Sequence, residues 1–111
     1  MRDDFPFVYF YVVSIPESQL ELIKKLCEQH RVESLFLFGS AAKGLMKSDS
    51  DVDFLVSFRD VSPDNYFDNY FDLKLMLENI LQRPVDLLES KALQNPYLKK
   101  SIEQSKQLVY R

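Results

Sequence analysis

Cysteine occurs once, at Cys27, so no disulfide can form within the chain, and a cytosolic setting is the simplest reading. There is no basic excess either: 14 lysines and arginines stand against 17 aspartates and glutamates, a formal net charge of −3. Broad electrostatic binding to nucleic acid normally shows as a basic face, and neither a basic tail nor a basic run supplies one here. No apolar run is long enough to cross a bilayer. The most apolar stretch, Phe5 to Val13 (FPFVYFYVV), falls well short of the ~20 residues a membrane helix needs. Arg2-Asp3-Asp4 ahead of it is not a basic leader and no small-residue cleavage site follows, so it does not read as a targeting signal. Internal repeats, low-complexity tracts and linkers are also missing, and 111 residues leave room for one domain with a core but not for a second.

What is present is a spacing. Gly39-Ser40 is followed, after ten intervening residues, by Asp51-Val52-Asp53, within FGSAAKGLMKSDSDVDFLV. The pair ends an apolar run, Val32 to Phe38 (VESLFLF), whose β-branched and aromatic content suits a buried strand. Gly39 lets the backbone bend or approach a ligand closely, and Ser40 offers a hydroxyl beside the amides of a short helix that Ala41-Ala42-Lys43 could start. Such donors suit phosphate oxygens. In a strand, residues two apart share a face about 6.6 Å from each other, so Asp51 and Asp53 point one way while Val52, Phe54 and Val56 point into the opposite layer.

Two carboxylates so placed can share magnesium, which prefers oxygen ligands and is usually held by one or two carboxylates plus substrate phosphates. Without a cation, their like charges repel. A third acid lies in Pro84-Val85-Asp86-Leu87-Leu88; if this short run is a strand beside the first pair, Asp86 converges on the same metals. It would then serve as a ligand and as general base toward an attacking hydroxyl. A Gly-Ser turn alone is common, and a lone Asp-x-Asp is usually a polar strand end; the joint spacing with Asp86 and the strand context is what points to phosphoryl transfer.

With these residues in place, the chain resembles the minimal nucleotidyltransferases of the polymerase-beta-like superfamily. Their signature of Gly-Ser, ten residues and Asp-x-Asp is met by GSAAKGLMKSDSDVD without a gap, and the resemblance runs from about Leu20 to Tyr110. It implies an α/β (α+β) polymerase-beta-like fold, a small mixed sheet flanked by helices, over residues 16–111. Residues 1–15 would form an N-terminal strand or extension. It further implies that Gly39 and Ser40 bind the nucleoside triphosphate and that Asp51 and Asp53 bind magnesium. Asp86 would be the acid that activates the acceptor. Lys43 stands where many members carry arginine, so a bidentate phosphate contact would become a point-charge contact. Lys43 and Lys47 read equally well as solvated surface residues, and Asp49, a further acid at the same strand parity, as a solvated turn residue.

The rest of the chain supports a small α/β domain with the site at one edge of its sheet. Ser14 or Ser18 can cap a first helix, since Glu17 and Glu21 each lie three residues on, and Leu20, Ile23, Leu26 and Cys27 form its apolar stripe. Cys27 is then a buried small residue rather than a nucleophile, and His30 a helix-end charge or packing residue. Ser62-Pro63 opens a second helix to about Leu81, with Phe67, Tyr70, Phe71, Leu73, Leu77, Ile80 and Leu81 at helical spacing. Its doubled aromatics read as core and interface. Pro96 to Ser105 reads as a short helix and Gln107 to Tyr110 as a closing strand. The aromatic N-terminal segment, with Pro6 confining it to an edge or a strand start, could pair with a second copy.

Two functions follow. The resemblance implies an enzyme that uses ATP and two magnesium ions to transfer AMP to a hydroxyl of a partner protein, a HEPN-domain ribonuclease toxin for which this chain would be the antitoxin. Larger relatives add domains that grip base and acceptor, so a lone core would need its partner to complete the site. The alternative is an antitoxin that binds nucleotide but neutralises its partner by contact alone. Modification of a small molecule such as an aminoglycoside is disfavoured because no substrate domain is seen. Retention of all three acids favours catalysis.

Overall fold

The computed structural model describes residues 15–42 and 51–111, with the backbone alone for Ser40 and Ala41. The strand expected over residues 5–13 and the pairing with a second copy assigned to it lie outside these residues. So do the Ser14 cap, Lys43, Lys47 and Asp49.

Helix α1 (Glu17–Gln29) begins on a proline, not on a serine. Pro16 is its N-cap, with φ −57° and ψ 149°, and its carbonyl accepts from the amides of Gln19 and Leu20 at 3.0 Å each. The ring already fixes the φ that the entry needs, so Ser18 falls inside the first turn and no side chain caps the helix. The apolar stripe is as the spacing predicts: Leu20, Ile23, Leu26 and Cys27 are buried. Burial, then the charge of Glu28, pushes the Cys27 thiol up to about 12, which leaves it a packing residue.

Strand β1 (Val32–Phe38) runs into a single helical turn, α2 (Gly39–Ala42). Then follow β2 (Val52–Phe58), α3 (Pro63–Leu81), β3 (Val85–Glu89), a 3-10 turn (Ser90–Ala92), α4 (Pro96–Ser105) and β4 (Gln107–Tyr110). The sheet order is β3-β2-β1-β4, with β1 antiparallel to both β2 and β4, and β2 parallel to β3. A parallel pair needs a crossover, and α3 is that crossover. The expected mixed sheet flanked by helices is therefore present. Helix α4 starts where Asn95 accepts from the amides of Tyr97 and Leu98 at 2.9 and 3.2 Å, with Pro96 at the first helical position.

The two faces of the sheet are covered unequally. One is packed by α1 and α3: Val52, Phe54, Val56 and Phe58 of β2 and Val85 and Leu87 of β3 share a cluster with Ile23, Leu26, Leu73 and Leu77. On the other face α4 lays Ile102 over Phe38 and Leu55, with Phe36, Leu88 and Leu93 beside them. Helices α1 and α3 run in opposite directions and are tied at both ends of α1. Gln19 donates to the Ile80 carbonyl at 3.2 Å, and His30 meets Asp72 through Nε2 at 2.6 Å. His30 Nδ1 lies 2.8 Å from the Leu26 carbonyl, and Asn69 donates to the His30 carbonyl at 2.8 Å. At 7% exposure, His30 is both the end of α1 and the link to α3.

Along α3 the expected stripe is corrected. Leu73 and Leu77 are buried, and Tyr70, Ile80 and Leu81 pack on the core as predicted, but Phe67 and Phe71 are 70% and 49% exposed. Tyr66 takes the inner position instead. The doublet NYFD-NYFD puts two aromatic columns roughly 100° apart, and only one can face the sheet. Tyrosine fits because its hydroxyl finds partners there: Tyr70 donates to the Leu87 carbonyl, and Tyr66 to Glu89 Oε2 at 3.1 Å.

Candidate active site

Asp53 and Asp86 are register partners on adjacent parallel strands. Each is the second residue of its strand. Because side chains alternate along a strand, both lie opposite the layer that receives Val52, Phe54, Val85 and Leu87, on the face that α4 only partly covers. Asp53 is half-buried and Asp86 exposed. Asp51 lies just ahead of β2 rather than within it, and is exposed. The shared-face geometry expected from strand spacing therefore applies to Asp53 but not strictly to Asp51.

The turn after β1 reaches the same place. Phe38, the last residue of β1, pairs across the sheet with Asp53, and Gly39 comes next. Gly39 has φ +72°, and a Cβ there would sit 2.3 Å from Asp53 Oδ2. Glycine is thus required twice, by the left-handed backbone and by the carboxylate pressed against it. The Ser40 side chain and Lys43 fall outside the described residues.

The acids are close enough to act on one another. Burial first, then the charges of Asp86 and Asp51, raise the Asp53 carboxyl above the ordinary aspartate range. None of the ion pairs among the described residues reaches any of the three. Among the described residues, no three acidic, cysteine or histidine side chains are grouped so as to hold a metal ion by themselves. The half-buried Asp53 and the exposed Asp51 and Asp86 offer carboxylate oxygens, the donor type magnesium takes when phosphate oxygens complete its shell. Grooves of about 580 and 450 Å³ lie elsewhere, one between α1 and α3 and one near Arg59 and Lys91, and neither is lined by these acids.

Sequence reasoning missed the residues that hold β3 in place. Tyr66, Tyr70 and Glu78 all bond to it from α3, and only the helical spacing of polar positions above a short strand could have hinted at them. Among the described residues, no helix is long and apolar enough to cross a membrane.

Residues 20–109 match the family described as "Nucleotidyltransferase domain". A "putative protein adenylyltransferase" of Methanocaldococcus jannaschii is 43% identical over 89 residues, covering 78% of this chain and 84% of that protein. Among solved structures, a "putative minimal nucleotidyltransferase" superposes with a TM-score of 0.68 at 30% identity, covering 80% of this chain and 87% of the other. A complex of a tri-AMPylated HEPN toxin of Shewanella oneidensis with an MNT antitoxin gives a TM-score of 0.58 at 20% identity, covering 84% of this chain and 70% of the other; that likeness is one of fold.

Proposed function

Since this chain belongs to the nucleotidyltransferase domain family, we propose that it transfers AMP from ATP to a hydroxyl of a partner protein, and that this partner is a HEPN-type toxin. The observation that carries the proposal is the pairing of Asp53 with Asp86 across β2 and β3, with Gly39 against Asp53 and Asp51 close by. The protein adenylyltransferase name of the relative and the AMP-bearing toxin in the structural neighbour support the acceptor class.

In this reading Gly39 and Ser40 receive the triphosphate where β1 ends, and Lys43 adds a point charge toward it. Asp51, Asp53 and Asp86 would hold magnesium, which when bound offsets the negative charge that builds on the reacting phosphate. A cation would relieve Asp53, whose ionised form is disfavoured first by burial and then by the charges of Asp86 and Asp51. Asp86, exposed on an edge strand, is placed where an acceptor can approach. It takes the proton of the acceptor hydroxyl as that oxygen bonds to the α-phosphorus, while the bond to the β-phosphate oxygen breaks and pyrophosphate leaves. The single buried thiol of Cys27 agrees with a cytosolic setting.

Co-expression with a HEPN protein encoded beside it tests the assignment. The partner should gain one or more AMP units by mass, and the gain should vanish with Asp51→Asn. A partner that is silenced with ATP and magnesium present, yet stays unmodified, would mean neutralisation by contact alone.

A further inference from the structure

We infer that Glu78 is a positioning residue for this site: from the last turn of α3, its carboxylate grips the first residue of β3 and so holds Asp86 opposite Asp53. The inference rests on the nucleotidyl-transfer reading for its catalytic consequence, although the grip itself does not.

Among the described residues, strand β3 is at the edge of the sheet, with β2 as its one strand partner. An edge strand has backbone groups on its outer side with no ladder to join, and it can drift unless something covers them. Here Glu78 Oε2 accepts from the Val85 amide at 2.9 Å. Lys74, one turn earlier in α3, reaches the same oxygen with Nζ at 3.2 Å. The Val85 amide first, then the Lys74 ammonium, hold the Glu78 carboxyl below the ordinary glutamate range, so the acceptor stays charged. On the inner side, the Val52 amide donates to the Pro84 carbonyl at 3.0 Å. Pro84 and Val85 are therefore held from both flanks, and the residues that follow Val52 and Val85 are Asp53 and Asp86.

The grip opposes a real force. Asp53 and Asp86 are like-charged carboxylates in register on the two strands, and separating the strands would relieve their repulsion. Glu78 works from the α3 side, while Asp86 points to the opposite face, so Glu78 acts through the strand and not on the substrate.

Glu78→Leu removes the acceptor; Glu78→Gln keeps an oxygen for the Val85 amide. Amide hydrogen exchange on the full chain, together with AMP transfer to the HEPN protein at varied ATP, separates the roles. In Glu78→Leu, exchange should quicken at Val85, Asp86 and Leu87 but not in β1. The transfer rate should fall by on the order of 10²-fold, the size of effect expected from about 1 Å of misplacement, with little change in KM for ATP. Glu78→Gln should recover most of both. Unchanged exchange at those amides in Glu78→Leu overturns the grip, and quickened exchange with an undiminished rate overturns the positioning role. A wild-type chain that transfers no AMP counts against the proposed function instead, and exchange still decides the grip. If Glu78→Leu does not fold, Glu78→Asp, whose shorter side chain withdraws the carboxylate from the Val85 amide, reads the same amides: quicker exchange supports the grip and unchanged exchange overturns it.

Discussion

The two faces of one strand, β2, divide the work of the molecule. Val52, Phe54 and Val56 enter a layer shared with α1 and α3 and are buried to 1% exposure or less. Asp53 and Ser57 look the other way and stay half-buried, with Leu55 between them under α4. Along a single backbone, the first set lowers the free energy of folding while Asp53 raises it. A residue retained at a site that strains the fold is a functional candidate on physical grounds alone.

The largest stability effect should come from the packed face. Phe54→Ala deletes a fully buried ring, and loss of transfer energy plus the cavity left behind should cost about 3–5 kcal/mol in a urea melt. A loss below 1 kcal/mol would mean that the α1 and α3 layer is not the core.

A smaller loss should follow at the junction of the two faces. Gly39→Ala meets a left-handed φ of +72° and the Asp53 carboxylate at 2.3 Å together. The backbone term is of order 1–3 kcal/mol, and the carboxylate must swing away. Magnesium-dependent ATP binding should therefore fall more than stability does. Intact binding in a folded Gly39→Ala protein would show that Asp53 can move without consequence.

Most of this was legible in the sequence, for reasons that differ by element. The strands and the α1 stripe follow from period and composition, because one face of each must be apolar whatever its partner. Gly39, Asp53 and Asp86 were legible as a spacing, since a turn followed by alternating acids fixes direction as well as identity. The inner column of α3 was not. Phe67-Phe71 and Tyr66-Tyr70 have the same period, and the choice between them depends on acceptors on β3 such as the Leu87 carbonyl, 17 residues on from Tyr70. The start of α1 was missed because a serine cap and a proline cap both lie within three residues of Glu17, and local preference alone does not rank them.

The sign of the Asp53 effect follows from its raised carboxyl. The folded state binds the proton more tightly than the unfolded chain, so stability falls as pH rises from the unfolded aspartate value, about 3.9, through the folded one. At neutral pH the protein carries this whole penalty. Asp53→Asn should be the more stable protein there, by less than Gly39→Ala loses, and the difference should vanish below the unfolded value. Magnesium should raise the melting temperature of wild type and not of the variant. A destabilised Asp53→Asn at neutral pH would mean that the carboxylate has a favourable partner.

The smallest effect separates the two aromatic columns of α3. Phe67 and Phe71 stack with ring centroids 5.9 Å apart and planes within 4°, so they have a contact to lose. That contact is a helix-surface pair one turn apart, a class worth only about 0.2–0.5 kcal/mol, and Phe67 is 70% exposed. Phe67→Ala also places the best helix former at an exposed position, which offsets part of the loss. The net change should therefore stay within about 0.5 kcal/mol, the usual range for surface substitutions. Tyr70→Phe, by contrast, removes the donor from the Leu87 carbonyl and should cost more, although the ring remains. If Phe67→Ala proves the costlier of the two in parallel urea melts, the phenylalanine column is the packed one and the assignment of inner and outer faces is reversed.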